Sequence, residues 1–132
     1  MSAASLRSRY LDDAVSTASP QQVLVMLYDR LALDLERAQT ALAEGRRSDA
    51  REQVRHAQEI VFELLGSLRV DAWEGGPRLA ALYNWLIAEL NQAMVKQDAG
   101  RIASCLKVVE PLRDAWRQAA LSLAAGTAAG TA

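Results

Sequence analysis

Apolar residues recur at steps of three and four along most of the chain, the spacing of one face of an α-helix. The first stripe is Leu24, Leu27, Leu31, Leu35, Ala38 and Leu42, just after Ser19-Pro20. Ser19 suits an N-cap, and Pro20 suits the first helical position because the amide it lacks would be unpaired there. This helix is predicted to run to about Ala43 and to stop near Gly45, a residue that tolerates a left-handed C-cap. A second stripe, from Ala50 through Val54, Ala57, Val61 and Leu64 to Leu68, predicts a helix that starts at Ser48 or Asp49. Gly75-Gly76-Pro77 then breaks the pattern. A third helix follows from Pro77 to about Lys96, carried by Leu79, Leu82, Tyr83, Leu86, Ile87, Leu90 and Met94. The fourth begins at Gly100 or Arg101 and reaches about Leu123, with Ile102, Cys105, Leu106, Val109, Leu112 and Trp116 on its stripe. Pro111 falls inside it, on the far face. A kink or a break is expected there, because proline lacks a backbone donor and crowds the carbonyl four residues back.

Helices of this length joined by short connections predict an all-α fold, an antiparallel up-down four-helix bundle. Residues 1–19 read as a short N-terminal arm whose apolar points include Tyr10 and Leu11, residues 20–123 as the bundle, and residues 124–132 as a disordered, low-complexity tail.

Some large apolar residues fall outside the stripes. Trp85 lands between Glu89 and Gln92, Met26 and Leu33 share a face with Asp29, Arg30 and Arg37, and Phe62 lies on the side of Arg51, Arg55 and Arg69. Two readings stand. Isolated apolar residues are normal on protein surfaces and at the seams of a small bundle. They also line grooves that receive an amphipathic partner. Composition does not choose between them.

Composition excludes more than it assigns. Over the 132 residues the net charge is −1, which gives no global basic field for nucleic acid or anionic lipid. The single cysteine, Cys105, rules out an intrachain disulfide and fits a reducing compartment. No apolar run nears the roughly 18 residues of a membrane span, and the N-terminus lacks an apolar signal core. A cytoplasmic location is therefore expected, without membrane insertion. One histidine, His56, cannot build a Glu-x-x-His di-metal site, and no haem-attachment or phosphate-loop motif is present. No cofactor or metal is expected. Arg51 and His56 match the Arg-x-x-x-x-His spacing of HEPN-type ribonucleases, a two-residue pattern that arises easily by chance. Cys105 and His56 read more simply as a packed small hydrophobe and a solvated residue at the stripe's edge.

Three segments resemble one family. Tyr10, the Thr17-Ala18-Ser19-Pro20 helix start and Met26-Leu27-Tyr28-Asp29 are similar to the opening of the flagellin-export chaperones, FliS. Leu82-Tyr83 with Trp85, and Leu112-Arg113 with Trp116, match further family segments in the same order. The stretch after Gly76 is shorter than the family pattern by about one helical turn. The resemblance implies a non-enzymatic chaperone that binds the disordered C-terminal region of flagellin, prevents early polymerisation and delivers it to export gate components. It also implies an N-terminal arm that folds over part of the binding surface. Tyr10, Leu11, Met26, Leu33, Phe62 and Trp85 are then the candidates for client or arm contact, on a monomer or weak homodimer. A generic helical adaptor or homodimer is the alternative, and a HEPN-like ribonuclease a remote third.

Overall fold

The structure is a computed structural model that describes residues 19–130, with side chains for residues 19–126. The candidates Tyr10 and Leu11 lie outside the described residues. The described part is built from α1 (Pro20–Ala43), α2 (Arg47–Ser67), a single 3-10 turn η1 (Val70–Ala72), α3 (Gly76–Lys96) and α4 (Ala99–Gly130). α1 starts where the Ser-Pro pair directs it. The Ser19 hydroxyl accepts from the Gln22 amide at 3.2 Å, and the Gln22 side chain accepts from the Ser19 amide at 3.0 Å, a reciprocal cap. It stops at Gly45, whose φ of 76° lets the Arg46 amide turn back to the Ala41 carbonyl at 2.8 Å. At the α3–α4 turn Gln97 takes the left-handed role (φ 51°), and Asp98 accepts from the Gly100 amide at 3.0 Å.

Each helix packs on the next, and α4 closes the ring against α1, so successive neighbours are antiparallel. The core is the set of inward stripes. Leu31 and Leu35 of α1, Val61 of α2, Leu86 and Leu90 of α3, and Ile102 and Val109 of α4 are shut from solvent. Side-chain contacts fix the seams. Gln58 of α2 donates to the Ile87 carbonyl (3.2 Å) and the Asn91 side chain (2.6 Å) of α3. Arg101 of α4 pairs with Glu89 of α3 at 2.7 Å, and Arg117 with Asp29 of α1 at 2.5 Å.

Three features differ from the sequence reading. Pro111 sits exposed within one unbroken helix, so no break into two segments occurs. α4 continues past Leu123 to Gly130, because alanine is the strongest helix former and this Ala-rich stretch holds no proline. His56 is not simply solvated. Its Nδ1 lies against the carboxylate of Asp34, a fully buried acid that also accepts from Arg30 Nε at 3.1 Å.

Candidate functional site

The two described tyrosines of the family-like motifs point into the bundle. Tyr28 and Tyr83 stand on diagonally opposite helices and are essentially inaccessible. Their hydroxyls meet at 2.6 Å inside the bundle rather than reaching water. Trp116 of α4 lies beside them, its ring 6.4 Å from that of Tyr28 and tilted by 51°. The neighbouring motif residues tie the same end together, with Asp29 bonded to Arg117 and 3.9 Å from Arg113. Among the described residues, the motif side chains Tyr28, Asp29, Tyr83, Arg113 and Trp116 thus converge on one end of the bundle.

At that end the helices do not close. A cavity of about 590 Å³ is lined by Pro20, Val23, Leu24 and Leu27 of α1, Leu64 of α2, Leu79 and Tyr83 of α3, and Trp116. The α2–α3 connection supplies its outer wall through Leu68, Arg69 and Trp73. The wall depends on two glycines. The Trp73 ring lies over Gly75, where a Cβ would come 2.1 Å from it, and the Val70 carbonyl oxygen would lie 2.0 Å from a Cβ on Gly76. Trp73 itself is half-exposed. Apart from Pro20, Leu27, Tyr83 and Trp116, which belong to the family-like motifs, none of these lining residues stands out in the sequence. Leu24, Leu27, Leu64 and Leu79 read as core, and Trp73 lies in a segment with no helical period.

The candidates on the described residues occupy three separate places. Phe62 is one turn beyond Gln58, so it lies on the flank of α2 that faces α3, and it is 54% exposed. Trp85 is one turn before Glu89, so it lies on the opposite flank of α3, toward α4, and it is 39% exposed. Met26 and Leu33 are half-buried on α1 between the flank that meets α2 and the flank that meets α4. Leu33 also borders a more polar cleft of about 510 Å³ with Arg37, Thr40 and Gln53. No single groove contains all four residues.

Burial sets the local acid–base behaviour. It raises the Tyr28 phenol, and raises Tyr83 further with help from the adjacent Tyr28 hydroxyl. It also pushes the Cys105 thiol up to about 12, with a smaller contribution from the Glu89 charge. In the unfolded chain these groups ionise near 9.0 for the thiol and 10.0 for the phenols. Below those values both states keep their protons and stability is complete. As pH rises through them the unfolded chain loses protons first, so stability falls. The urea midpoint should drop clearly between about pH 8 and pH 11, and Cys105 should resist alkylation at pH 8 until the protein unfolds. An unchanged midpoint, or rapid labelling of the native thiol, would contradict the burial of these groups.

Among the described residues no group of three acidic, histidine or cysteine side chains is placed to hold a metal ion, and no helix is long and apolar enough to cross a membrane. The family "Flagellar protein FliS" matches residues 2–123. The flagellar secretion chaperone FliS of Bacillus subtilis (strain 168) is 31% identical over 110 residues, which cover 83% of this chain and 82% of the relative. The protein of the same name from Salmonella typhimurium is 31% identical over 111 residues, 82% of each chain. A solved structure described as a flagellar chaperone from bacteria shares the fold, with a TM-score of 0.70 at 22% identity over 87% of this chain and 94% of that one. The chain belongs to the FliS family of flagellar secretion chaperones.

Proposed function

We propose that the protein binds the disordered C-terminal region of newly made flagellin in the cytoplasm, keeps it from polymerising early and hands it to components of the export gate. Its action is binding, without covalent chemistry. The observation that carries this reading is apolar surface that the bundle leaves uncovered. Phe62 and Trp85 remain 54% and 39% exposed on separate seams, and the cavity beside Trp73 is open. An unfolded segment can follow such dispersed patches around a bundle, whereas a folded partner meets only one side. The cost of ordering the segment, on the order of 2–5 kcal/mol, requires several patches to act together. In this reading Tyr10 and Leu11 belong to a removable cover over part of that surface.

The test is titration with a peptide of flagellin's C-terminal region. Trp85→Arg should weaken binding by about ten- to a hundredfold, the equivalent of one large apolar side chain left unburied. The loss of stability should be small, because the arginine stem can lie along the same seam. A chain lacking residues 1–15 should stay folded and bind at least as tightly. Unchanged peptide affinity with a large fall in melting temperature would make Trp85 a packing residue. Unfolding of the truncated chain would make the arm part of the core.

A further inference from the structure

The hydroxyl pair beneath the end cavity holds more hydrogens than it has acceptors for. Tyr28 and Tyr83 are 0% and 2% exposed, and their oxygens stand 2.6 Å apart. One O–H fills that gap. The other must point elsewhere, and neither hydroxyl has a second hydrogen-bond partner among the described residues. The neighbouring Trp116 adds to the excess, because its Nε1 is also buried and without a hydrogen-bond partner. Three donor hydrogens face two oxygens, and two hydroxyls share only one hydrogen between them. At least one hydrogen is left over however the hydroxyls turn. Burial raises the Tyr28 phenol, while the Tyr83 hydroxyl and the Trp116 N–H act the other way. The positive N–H beside the Tyr28 oxygen turns the Tyr28 hydrogen away from itself, toward Tyr83. Tyr83 also lines the cavity, and Tyr28 does not. The spare O–H is that of Tyr83, and it opens on the cavity.

We infer that the Tyr83 hydroxyl selects the client, donating to a backbone carbonyl of the extended segment whose apolar side chain fills the cavity. This rests on the client-binding reading above. A buried hydroxyl hydrogen without an acceptor is unfavourable, so an occupant that brings an oxygen is preferred to a hydrocarbon of the same shape. Leu24, Leu27, Leu64 and Leu79 receive the apolar part. The one charged residue of the described lining, Arg69, belongs to the outer wall. A carboxylate at the floor would therefore be buried unpaired, and an uncharged carbonyl is the acceptor that fits. An unfolded segment offers such a carbonyl at every residue. A folded partner has most of its own paired within helices and strands.

Titration with a peptide of flagellin's C-terminal region provides the first test. Tyr83→Phe should weaken binding by about five- to tenfold, the loss of one hydrogen bond. Tyr28→Phe deletes the same bond between the phenols but leaves Tyr83 its hydrogen, so its loss of affinity should be several-fold smaller. A packing role alone would weaken both variants equally. The Tyr83→Phe loss should persist when the asparagine and glutamine residues of the peptide are replaced by alanine. A second test needs no client. Acetophenone and ethylbenzene have nearly the same shape, and only the first carries a carbonyl. Followed through the tryptophan indole NMR signals, Tyr83→Phe should lose several-fold in acetophenone binding and nothing in ethylbenzene binding. Equal losses for the two phenylalanine variants overturn the inference. So does a loss that vanishes with the side-chain amides of the peptide, or a preference between the two probes that Tyr83→Phe leaves unchanged. A wild type that ignores the peptide yet shows the acetophenone effect sinks the flagellin reading and leaves the donor in the cavity standing.

Discussion

Replacing Arg30 and His56 together by alanine should lower the free energy of unfolding by about 3–5 kcal/mol. Asp34 is fully buried on the α1–α2 seam, and its carboxylate oxygens are taken up by Arg30 Nε and His56 Nδ1. Arg30 and His56 keep part of their side chains in water, with 39% and 25% exposed, so losing Asp34 would cost them little. The reverse does not hold. Removing both partners leaves a fully buried acid without either of its side-chain partners. The cost comes from the charge left behind and not from the bonds as such. Adding Asp34→Asn to the double variant should therefore recover part of the loss, although it deletes a third polar partner. Urea unfolding of the wild type, the double and the triple variant at neutral pH measures this. A triple variant no more stable than the double would show that Asp34 carries no uncompensated charge penalty.

How far the fold could be read from sequence depends on whether a feature belongs to one helix or to several. The stripes of Leu31, Leu35 and Val61, the Ser19-Pro20 start and the Gly45 stop are each set by a few neighbouring residues, and helical spacing is enough to find them. The outward position of Phe62 and Trp85 follows from the same spacing. Asp34 was legible in principle. It lies three residues after Leu31 and four before Ala38, within the apolar stripe, and four after Arg30. An acid at such a position signals a buried pair, though its second partner, 22 residues on, belongs to another helix. The Tyr28–Tyr83 bond and the end cavity were not legible at all. Both depend on how far four helices reach past one another and on how the η1 turn docks, and no local pattern encodes either. The exposure of Phe62 and Trp85 is legible in the sequence, and the cavity wall at Trp73 is not.

That wall gives the other large effect. Gly76→Ala should cost about 1–3 kcal/mol, and it should also weaken peptide binding wherever the cavity takes part. A Cβ at residue 76 would fall 2.0 Å from the Val70 carbonyl oxygen and 2.9 Å from Val70 Cα. These are backbone atoms, so no side-chain rotation relieves the contact, and the η1 turn must lift away from α3. Trp73 directly follows the η1 turn and moves with it, which also disturbs the bond from the Gly76 amide to the Trp73 carbonyl, 3.2 Å in the wild type. The cavity then loses its outer face. Gly66 supplies the contrasting case. It lies in the last turn of α2, exposed, with nothing within 4 Å of the place a methyl group would take. Gly66→Ala should raise stability by about 0.5–1 kcal/mol, since alanine restricts the unfolded chain and favours helix. The same substitution at two glycines only ten residues apart (66 and 76) is thus expected to move stability in opposite directions. Equal urea midpoints for the two variants would mean that η1 does not rest on α3 as closely as the Val70 carbonyl requires, and the cavity would then have no fixed outer wall.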